Sequence, residues 1–511
     1  MSRTENSIKN IKYALIGQML ALIITFVSRM IFVNVLSAEY LGINGLFTNI
    51  LSILSLAEMG IGTAIVYSMY KPIAENDVEK IKSLMHLFKK TYTIIGLLIT
   101  VLGIMITPFL HYFIKDMPNV DYISIIFLMF VINSSISYFY SYKRFLIIAN
   151  EKKYIASLYR YSIFIAMSIC QIIILITTQN YILFLSVELI ATFLENLLVS
   201  IKADKMYPYL KEKNILPLET NEKELIKKNV QALIYHRIGG VVVLGTDNLL
   251  ISMLIGLVAV GIYSNYLLII SALMLIYGLI FESLTASVGN LGITQTEEKN
   301  RNVFYVTNFA AFWIFGFSSI ALWNLVNPFI EIWLGSEYLF NMQIVAVLII
   351  NFYMTGMRSS VRVFKDAHGL YWYDRYKPLA ESIINIIASV ILANYLGVLG
   401  IFLGTMISTI TTSFWVEPFV LYKYGFKTSS IEYFKAYFKY AFITIIAGGF
   451  TWLICSFIVG AGIVNFGIKL VICAIIPNLI FFIIYRKNND FIHLVQVGKR
   501  ELLDKVIKVL K

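Results

Sequence analysis

Residues 71–90 read KPIAENDVEKIKSLMHLFKK, and residues 91–114 continue TYTIIGLLITVLGIMITPFLHYFI. The first stretch holds five lysines; the second holds no Lys, Arg, Asp or Glu. As a helix rising 1.5 Å per residue, the second stretch is about 36 Å long. That is enough to cross a hydrocarbon layer about 30 Å thick. Its side chains have no reason to stay in water, and a helix satisfies its own backbone hydrogen bonds inside lipid. The pairing of a basic gap with an uncharged apolar run therefore defines a transmembrane helix and the side from which it enters.

The same alternation runs through all 511 residues. Fourteen spans are expected, near 11–36, 42–70, 91–114, 122–142, 155–177, 181–201, 229–255, 258–281, 303–325, 341–364, 378–396, 399–421, 440–459 and 464–485. Every second gap is basic. The gap at 202–228 alone carries Lys202, Lys205, Lys211, Lys213, Lys223, Lys227 and Lys228, while Lys115 is the only Lys or Arg in the intervening gaps. Basic loops stay on the cytoplasmic side. The expected topology has both termini cytoplasmic, which an even number of spans also requires. The first run, 11–36, is longer than a signal-peptide core and reads as a span rather than a cleaved leader.

Composition narrows the function. The chain is 59% hydrophobic and 14% charged, against roughly 45–50% apolar for soluble domains. The net charge of +12 would suggest nucleic acid in a soluble protein. Here the basic residues flank apolar runs, so they set topology and meet anionic membrane lipid, and no nucleic-acid partner is expected. Cys170, Cys455 and Cys473 lie within apolar runs without metal or redox spacing, and the five histidines are scattered. No metal site is expected. No gap exceeds about thirty residues, less than the ~50 needed for a soluble catalytic domain, so the chain is not expected to be an enzyme.

Two segments outside the spans are amphipathic and are expected to lie in the membrane interface. In 77–90, Val78, Ile81, Met85 and Phe88 share a face, with Asp77 as the N-cap. Near the C-terminus, Leu502, Leu503, Val506, Ile507 and Leu510 oppose Lys499, Arg500, Lys505 and Lys508.

Charged residues inside spans are the candidate functional groups, because each costs about 2.5–3.5 kcal/mol at the bilayer centre. Arg29 lies seventeen residues past Lys12, about 25 Å along the first span. Arg237 and Asp247 share the seventh span, Glu58 is in the second, and Arg358 is in the tenth. Arginines lining a cavity would bind phosphate through the guanidinium fork. Glu58 and Asp247 either pair with those arginines or hold a coupling cation. Arg358, Glu195, Glu282, Glu381 and Glu417 lie near cytoplasmic ends, where snorkelling or structural ion pairs account for a charge.

A weak internal repeat relates GLFTNIL at 45–51 to GIYSNYL at 261–267. Asn49 and Asn265 hold equal places in it and join the candidate site. Duplicated halves in a transporter put the substrate between them.

Residues 39–71, EYLGINGLFTNILSILSLAEMGIGTAIVYSMYK, with Arg29 upstream and KPIAENDVEKIKSLM downstream, resemble bacterial polysaccharide transporters. These are the lipid-linked repeat-unit flippases of the multidrug/oligosaccharidyl-lipid/polysaccharide exporter superfamily. HRIGGVVVLGTDNLLIS (236–252), VGIYSNY (260–266) and TASVGNL (285–291) match the pattern of the second half. The resemblance implies an all-α fold of two pseudo-symmetric six-helix lobes around a central cavity, with two further C-terminal helices. The lobes would be 1–201 and 229–421, joined by a cytoplasmic linker at 202–228. The extra helices would occupy 422–485, and a cytoplasmic amphipathic tail 486–511.

The function it implies is translocation of undecaprenyl-pyrophosphate-linked oligosaccharides, of capsule or O-antigen type, from the inner to the outer leaflet of the bacterial cytoplasmic membrane. Arg29 and Arg237 occupy the motif positions of cavity arginines. No cofactor is expected beyond a coupling Na+ or H+, and the partners would be a polysaccharide polymerase and glycosyltransferases. Two alternatives stand beside it. One is a drug/cation antiporter of the same superfamily, which would want a more acidic cavity. The other is a membrane glycan polymerase or assembly partner, for which the chain shows no large loop with paired acids.

Overall fold

A computed structural model describes residues 3–58, 61–116, 118, 120–212, 214–220, 222, 224, 226, 245–460 and 462–496. Every regular element among them is helical. In chain order these are α1 (Arg3–Val35), α2 (Ala38–Leu54), α3 (Ile61–Glu75), α4 (Val78–Ile106), α5 (Ile123–Ala149), α6 (Lys153–Thr178) and α7 (Tyr181–Met206). A helix at 245–254, α8, follows. Then come α9 (Leu257–Thr294), α10 (Glu297–Leu334), α11 (Met342–Ala367), α12 (Lys377–Leu396), α13 (Val398–Thr411), α14 (Ser413–Val420), α15 (Ile431–Ser456) and α16 (Ile463–Tyr485).

Twelve helical segments among the described residues are long and apolar enough to cross a bilayer. The other two expected spans account for the difference from fourteen. The run 42–70 is not one helix. A 3-10 turn at Ser55–Glu58 separates α2 from α3, which have 17 and 15 residues. Each half falls short of the ~20 residues that a crossing needs. The run 229–255 lies mostly outside the described residues. Span boundaries are marked by short polar side chains. Asp77 accepts from Lys80 N at 3.0 Å, Asn180 from Leu183 N at 3.0 Å and Asn341 from Ile344 N at 3.0 Å. Gly397, at φ +59°, takes the left-handed turn between α12 and α13 that a side chain would strain. Large apolar side chains also cover the outside: Ile445, Phe457 and Val464 are 72%, 78% and 75% exposed. Such a surface is stable only against lipid.

The chain divides into two compact units, Met1–Gly261 and Ile262–Lys511. In the first, α1 lies on α6, with Gly17 against the Tyr161 ring and Tyr161 donating to Gln18 Oε1 at 3.0 Å. One core gathers Ile65 and Met69 of α3, Ile81, Leu84, Met85 and Phe88 of α4, and Val199 and Ala203 of α7. The amphipathic segment 77–90 is thus the first part of a membrane helix. Ile81, Met85 and Phe88 of its apolar face are buried by protein rather than by the membrane interface, while Val78 at its start is exposed, which corrects the expectation. Periodicity shows that a face will be covered, not what covers it.

The first unit also contains α8 and the start of α9. A Cβ on Gly42 would lie 2.1 Å from Leu257 O, and one on Gly261 would lie 2.4 Å from Ala38 O. Two backbones therefore cross in direct contact where α2 meets the beginning of α9.

In the second unit α15 and α16 pack on α10 through aromatic rings. Phe312 stacks on Tyr440 at 4.4 Å and lies edge-on to Tyr485 at 5.4 Å. Trp313 Nε1 donates to Asn478 Oδ1 at 2.7 Å. Phe491, just beyond α16, stacks on Trp313 at 5.4 Å. The expected amphipathic residues 499–510 lie outside the described residues.

Candidate functional site

In the first unit the polar groups follow α1, α5 and α7 through the membrane. Arg29 is half-buried on α1 and lies within electrostatic range of Tyr181 at the start of α7. Tyr181 is packed edge-on by Phe32 at 5.8 Å and Tyr40 at 4.9 Å. Two turns along α7, Glu188 accepts from Asn133 Nδ2 of α5 at 3.0 Å. Arg29 therefore belongs to an aromatic and polar string at membrane depth, where an arginine demands polar company.

Glu58 ends the 3-10 turn that breaks the second span. It accepts a short hydrogen bond from Tyr92 OH of α4, and Tyr138 of α5 lies beside it. Gly62 permits this approach, since a Cβ there would stand 2.5 Å from Tyr92 OH. No Lys or Arg among the described residues forms an ion pair with Glu58. The two readings from sequence, arginine partner or coupling-cation ligand, are joined by a third that the residue pattern did not show. Tyrosine hydroxyls anchor the carboxylate and with it the break in the span. Ser55 and Glu58, the polar residues of SLAEMG at 55–60 inside an apolar run, were the available signal.

Asp247 on α8 is buried at 8% exposure, between the buried Thr246 and Asn248. α8 rests on α2. A Cβ on Gly245 would lie 3.6 Å from Ile53 Cγ1 and 4.0 Å from Asn49 Oδ1, and a Cβ on Gly45 would lie 3.8 Å from Asn248 Nδ2. The structure thus brings Asn49 and the Asp247 helix together within the first unit. Asn49 itself donates to Gly45 O of its own helix at 2.9 Å. Arg237 lies outside the described residues.

The second unit holds Asn265 and Arg358. Asn265 is fully buried on α9, and neither of its amide atoms has a hydrogen-bond partner among the described residues. Such a group is rare in a protein interior. Arg358 on α11 is ion-paired. Its Nε and Nη2 donate to Glu417 Oε2 and Oε1 of α14, each at 2.9 Å. Lys377 Nζ donates to the same carboxylate. The Nε–Nη2 edge of the guanidinium is taken by this carboxylate, the structural ion pair that its place near a span end allowed. Glu381 nearby accepts from Ser413 Oγ at 2.5 Å.

One turn along, Arg362 was not singled out from sequence. Its Nη2 donates to Thr355 O at 3.3 Å and Ser359 Oγ at 3.1 Å. No carboxylate among the described residues pairs with it. Its position four residues after Arg358 places both on one helix face, which was the missed signal.

These features define a class: a helical, multi-pass membrane protein of two units, with charged and amide groups set at membrane depth as in a transporter. The sequence matches the model of the polysaccharide biosynthesis protein family over residues 7–288, more than half of the chain. The chain belongs to that family. Among solved structures it is similar to the lipid II flippase MurJ in an inward closed conformation, with TM-score 0.65 and 17% identity over 93% of this chain and 99% of that one. It is also similar to a multidrug resistance MATE family transporter of the MOP superfamily in an inward-facing conformation. There the TM-score is 0.63 and the identity 15% over 81% of this chain and 99% of that one. At these identities the likeness is one of fold. A search of curated proteins finds no match.

Proposed function

We propose that the protein flips undecaprenyl-pyrophosphate-linked oligosaccharide repeat units from the inner to the outer leaflet of a bacterial cytoplasmic membrane, by alternating access, with both termini cytoplasmic. The observation that carries this reading is a half-buried arginine, Arg29, placed at membrane depth in a chain of the polysaccharide biosynthesis family. The lipid tail of such a substrate stays in the bilayer. The pyrophosphate and sugars do not, and a guanidinium lowers the barrier for the phosphates through charge-assisted hydrogen bonds. Arg29 and Arg237 would hold the pyrophosphate. Asn49 and Asn265 would meet sugar hydroxyls, and Asp247 or Glu58 would take a coupling Na+ or H+. No bond is made or broken, so no catalytic group is assigned. Polymerase and glycosyltransferases would stand on either side of this step.

The test is flipping of a fluorescent undecaprenyl-pyrophosphate oligosaccharide in proteoliposomes. Arg29→Ala and Arg237→Ala should each lower the rate by about 10- to 100-fold, the worth of one charge-assisted hydrogen bond at 1.5–3 kcal/mol. Arg→Lys separates charge from fork geometry, because only arginine binds in bidentate fashion. Normal flipping by both Ala variants at equal protein content would overturn the reading. The fold shared with the MATE transporter gives the competing outcome: efflux of an organic cation, with no movement of the lipid-linked sugar.

A further inference from the structure

The nine residues that join α11 to α12, 368–376, read HGLYWYDRY. Three of the rings stand open: Trp372 and Tyr376 are each 68% exposed, and Tyr373 is exposed as well. The loop that carries them is nevertheless pinned at several points. Leu370 is buried. Asp374, also buried, accepts from Lys365 Nζ of α11 at 2.5 Å. Tyr373 stacks on Tyr424, four residues past α14, at 3.8 Å. The open rings are thus presented by a fixed frame.

Arg375 lies between two of those rings. Its Cζ is 3.7 Å from the centre of the Trp372 ring and 4.6 Å from that of Tyr376. Nη1 donates to Trp372 O at 2.7 Å. Among the described residues no carboxylate pairs with Arg375, and its other N–H groups make no hydrogen bond. Contact with a ring takes up the face of a guanidinium and leaves its N–H edges free. The long stem has lost its freedom before any ligand arrives, so the fork is set for an oxyanion.

The depth of the loop follows from the helix behind it. α12 has 20 residues, a length of about 30 Å, which is the thickness of the hydrocarbon core. Tyr376 stands just before its first residue, and Tyr395, 82% exposed, stands at its other end. The two are nineteen positions apart, about 28 Å. Exposed tyrosines at both ends of a span mark the two membrane interfaces, where the ring meets lipid and the hydroxyl meets water. Arg375 and Trp372 therefore lie with Tyr376 among the lipid headgroups.

We propose that the α11–α12 loop is a contact site for membrane phospholipid, in which Arg375 binds the lipid phosphate and Trp372 and Tyr376 lie against the glycerol and ester groups. Each part of the lipid meets a side chain that suits it. Phosphate takes charge-assisted hydrogen bonds from the guanidinium, and amphipathic rings are stable at the boundary between acyl chain and water. An acidic soluble partner would satisfy Arg375 but would not account for tyrosines spaced by one hydrocarbon thickness. With both termini cytoplasmic, the leaflet is the inner one; the contact holds for either orientation.

The experiment is tryptophan fluorescence of the full chain in vesicles, wild type against Trp372→Phe, so that the difference isolates Trp372 from the other tryptophans. The isolated emission should be quenched by lipid brominated high on the acyl chain, and left almost unchanged by iodide on both faces of the vesicle. Brominated phosphatidylglycerol should occupy the site about fivefold more readily than brominated phosphatidylcholine, the worth of one cation beside an anionic lipid. Arg375→Gln, with its own Trp372→Phe control, should bring the two lipids near parity, while the emission of the other tryptophans shows the fold intact. Quenching by iodide and not by lipid would put the rings in water, open to a soluble partner, and overturns the contact. Equal quenching by the two lipids in the wild type, or a preference unchanged by Arg375→Gln, overturns it as well.

Discussion

At the scale of single residues, the ionic centre of the second unit is the most constrained feature. Glu417 is 2% exposed and neutralises two cations, Arg358 and Lys377. Glu417→Gln would strand both positive charges in a place that water does not reach. Removing one partner of a buried pair costs about 3–5 kcal/mol, so the melting midpoint in detergent should fall clearly. The double variant Arg358→Met, Glu417→Leu should regain most of it, since apolar replacement of a whole buried pair is often neutral. A single variant that melts like wild type would show that this centre carries no stability. Flipping per folded molecule should be retained in the double variant, in contrast to Arg29→Ala. The sequence showed that Arg358 and Glu417 were both charged within apolar spans. It could not show that they meet, because the partners are 59 residues apart and pairing is a property of packed helices. The Tyr92 contact to Glu58 was hidden for the same reason.

At the scale of elements, the decisive contacts are those between backbones. Gly42→Ala would press a methyl group into Leu257 O, and Gly261→Ala would press one into Ala38 O. Backbone atoms cannot swing aside as a side chain can, and overpacking of this kind costs about 1–3 kcal/mol. Gly278→Ala, on α9 with nothing within 4 Å of its Cβ, is the matched control. It should be neutral or gain a few tenths of a kcal/mol from better helix propensity. Thermal denaturation of the three variants checks the order, and equal midpoints for Gly42→Ala and Gly278→Ala would contradict it. Span positions were legible because length and lack of charge suffice to define them. The break in 42–70 was less so. Its polar residues, Ser55 and Glu58, sit within an apolar run whose mean character is still that of a single span. The covered face of 77–90 was read correctly as a face and wrongly as an interfacial one.

For the whole molecule, the testable quantity is topology. From the alternating basic gaps, 202–228 is expected inside the cell and the short α10–α11 connection outside. In a chain with Cys170, Cys455 and Cys473 replaced, a cysteine at Glu337 should react with an impermeant maleimide in intact cells. One at Leu216 should react only after permeabilisation. Both side chains are exposed, Leu216 at 62%. The reverse pattern would invert the orientation and with it the direction of transport. Charge bias acts on orientation before any helix packs, which is why the expectation can be drawn from sequence alone.

The crossing of α2 with the start of α9 is held by what is missing. A contact made by a side chain can be weakened, exchanged or rebuilt by many substitutions. A contact made by two hydrogens on Cα has no such neighbours in mutational space, because every change at Gly42 or Gly261 adds atoms where none fit. Drift in the rest of both segments leaves the crossing intact, while these two positions have nowhere to go. The faint repeat between 45–51 and 261–267 can therefore fade from the sequence without the chain losing the geometry by which its first unit is closed.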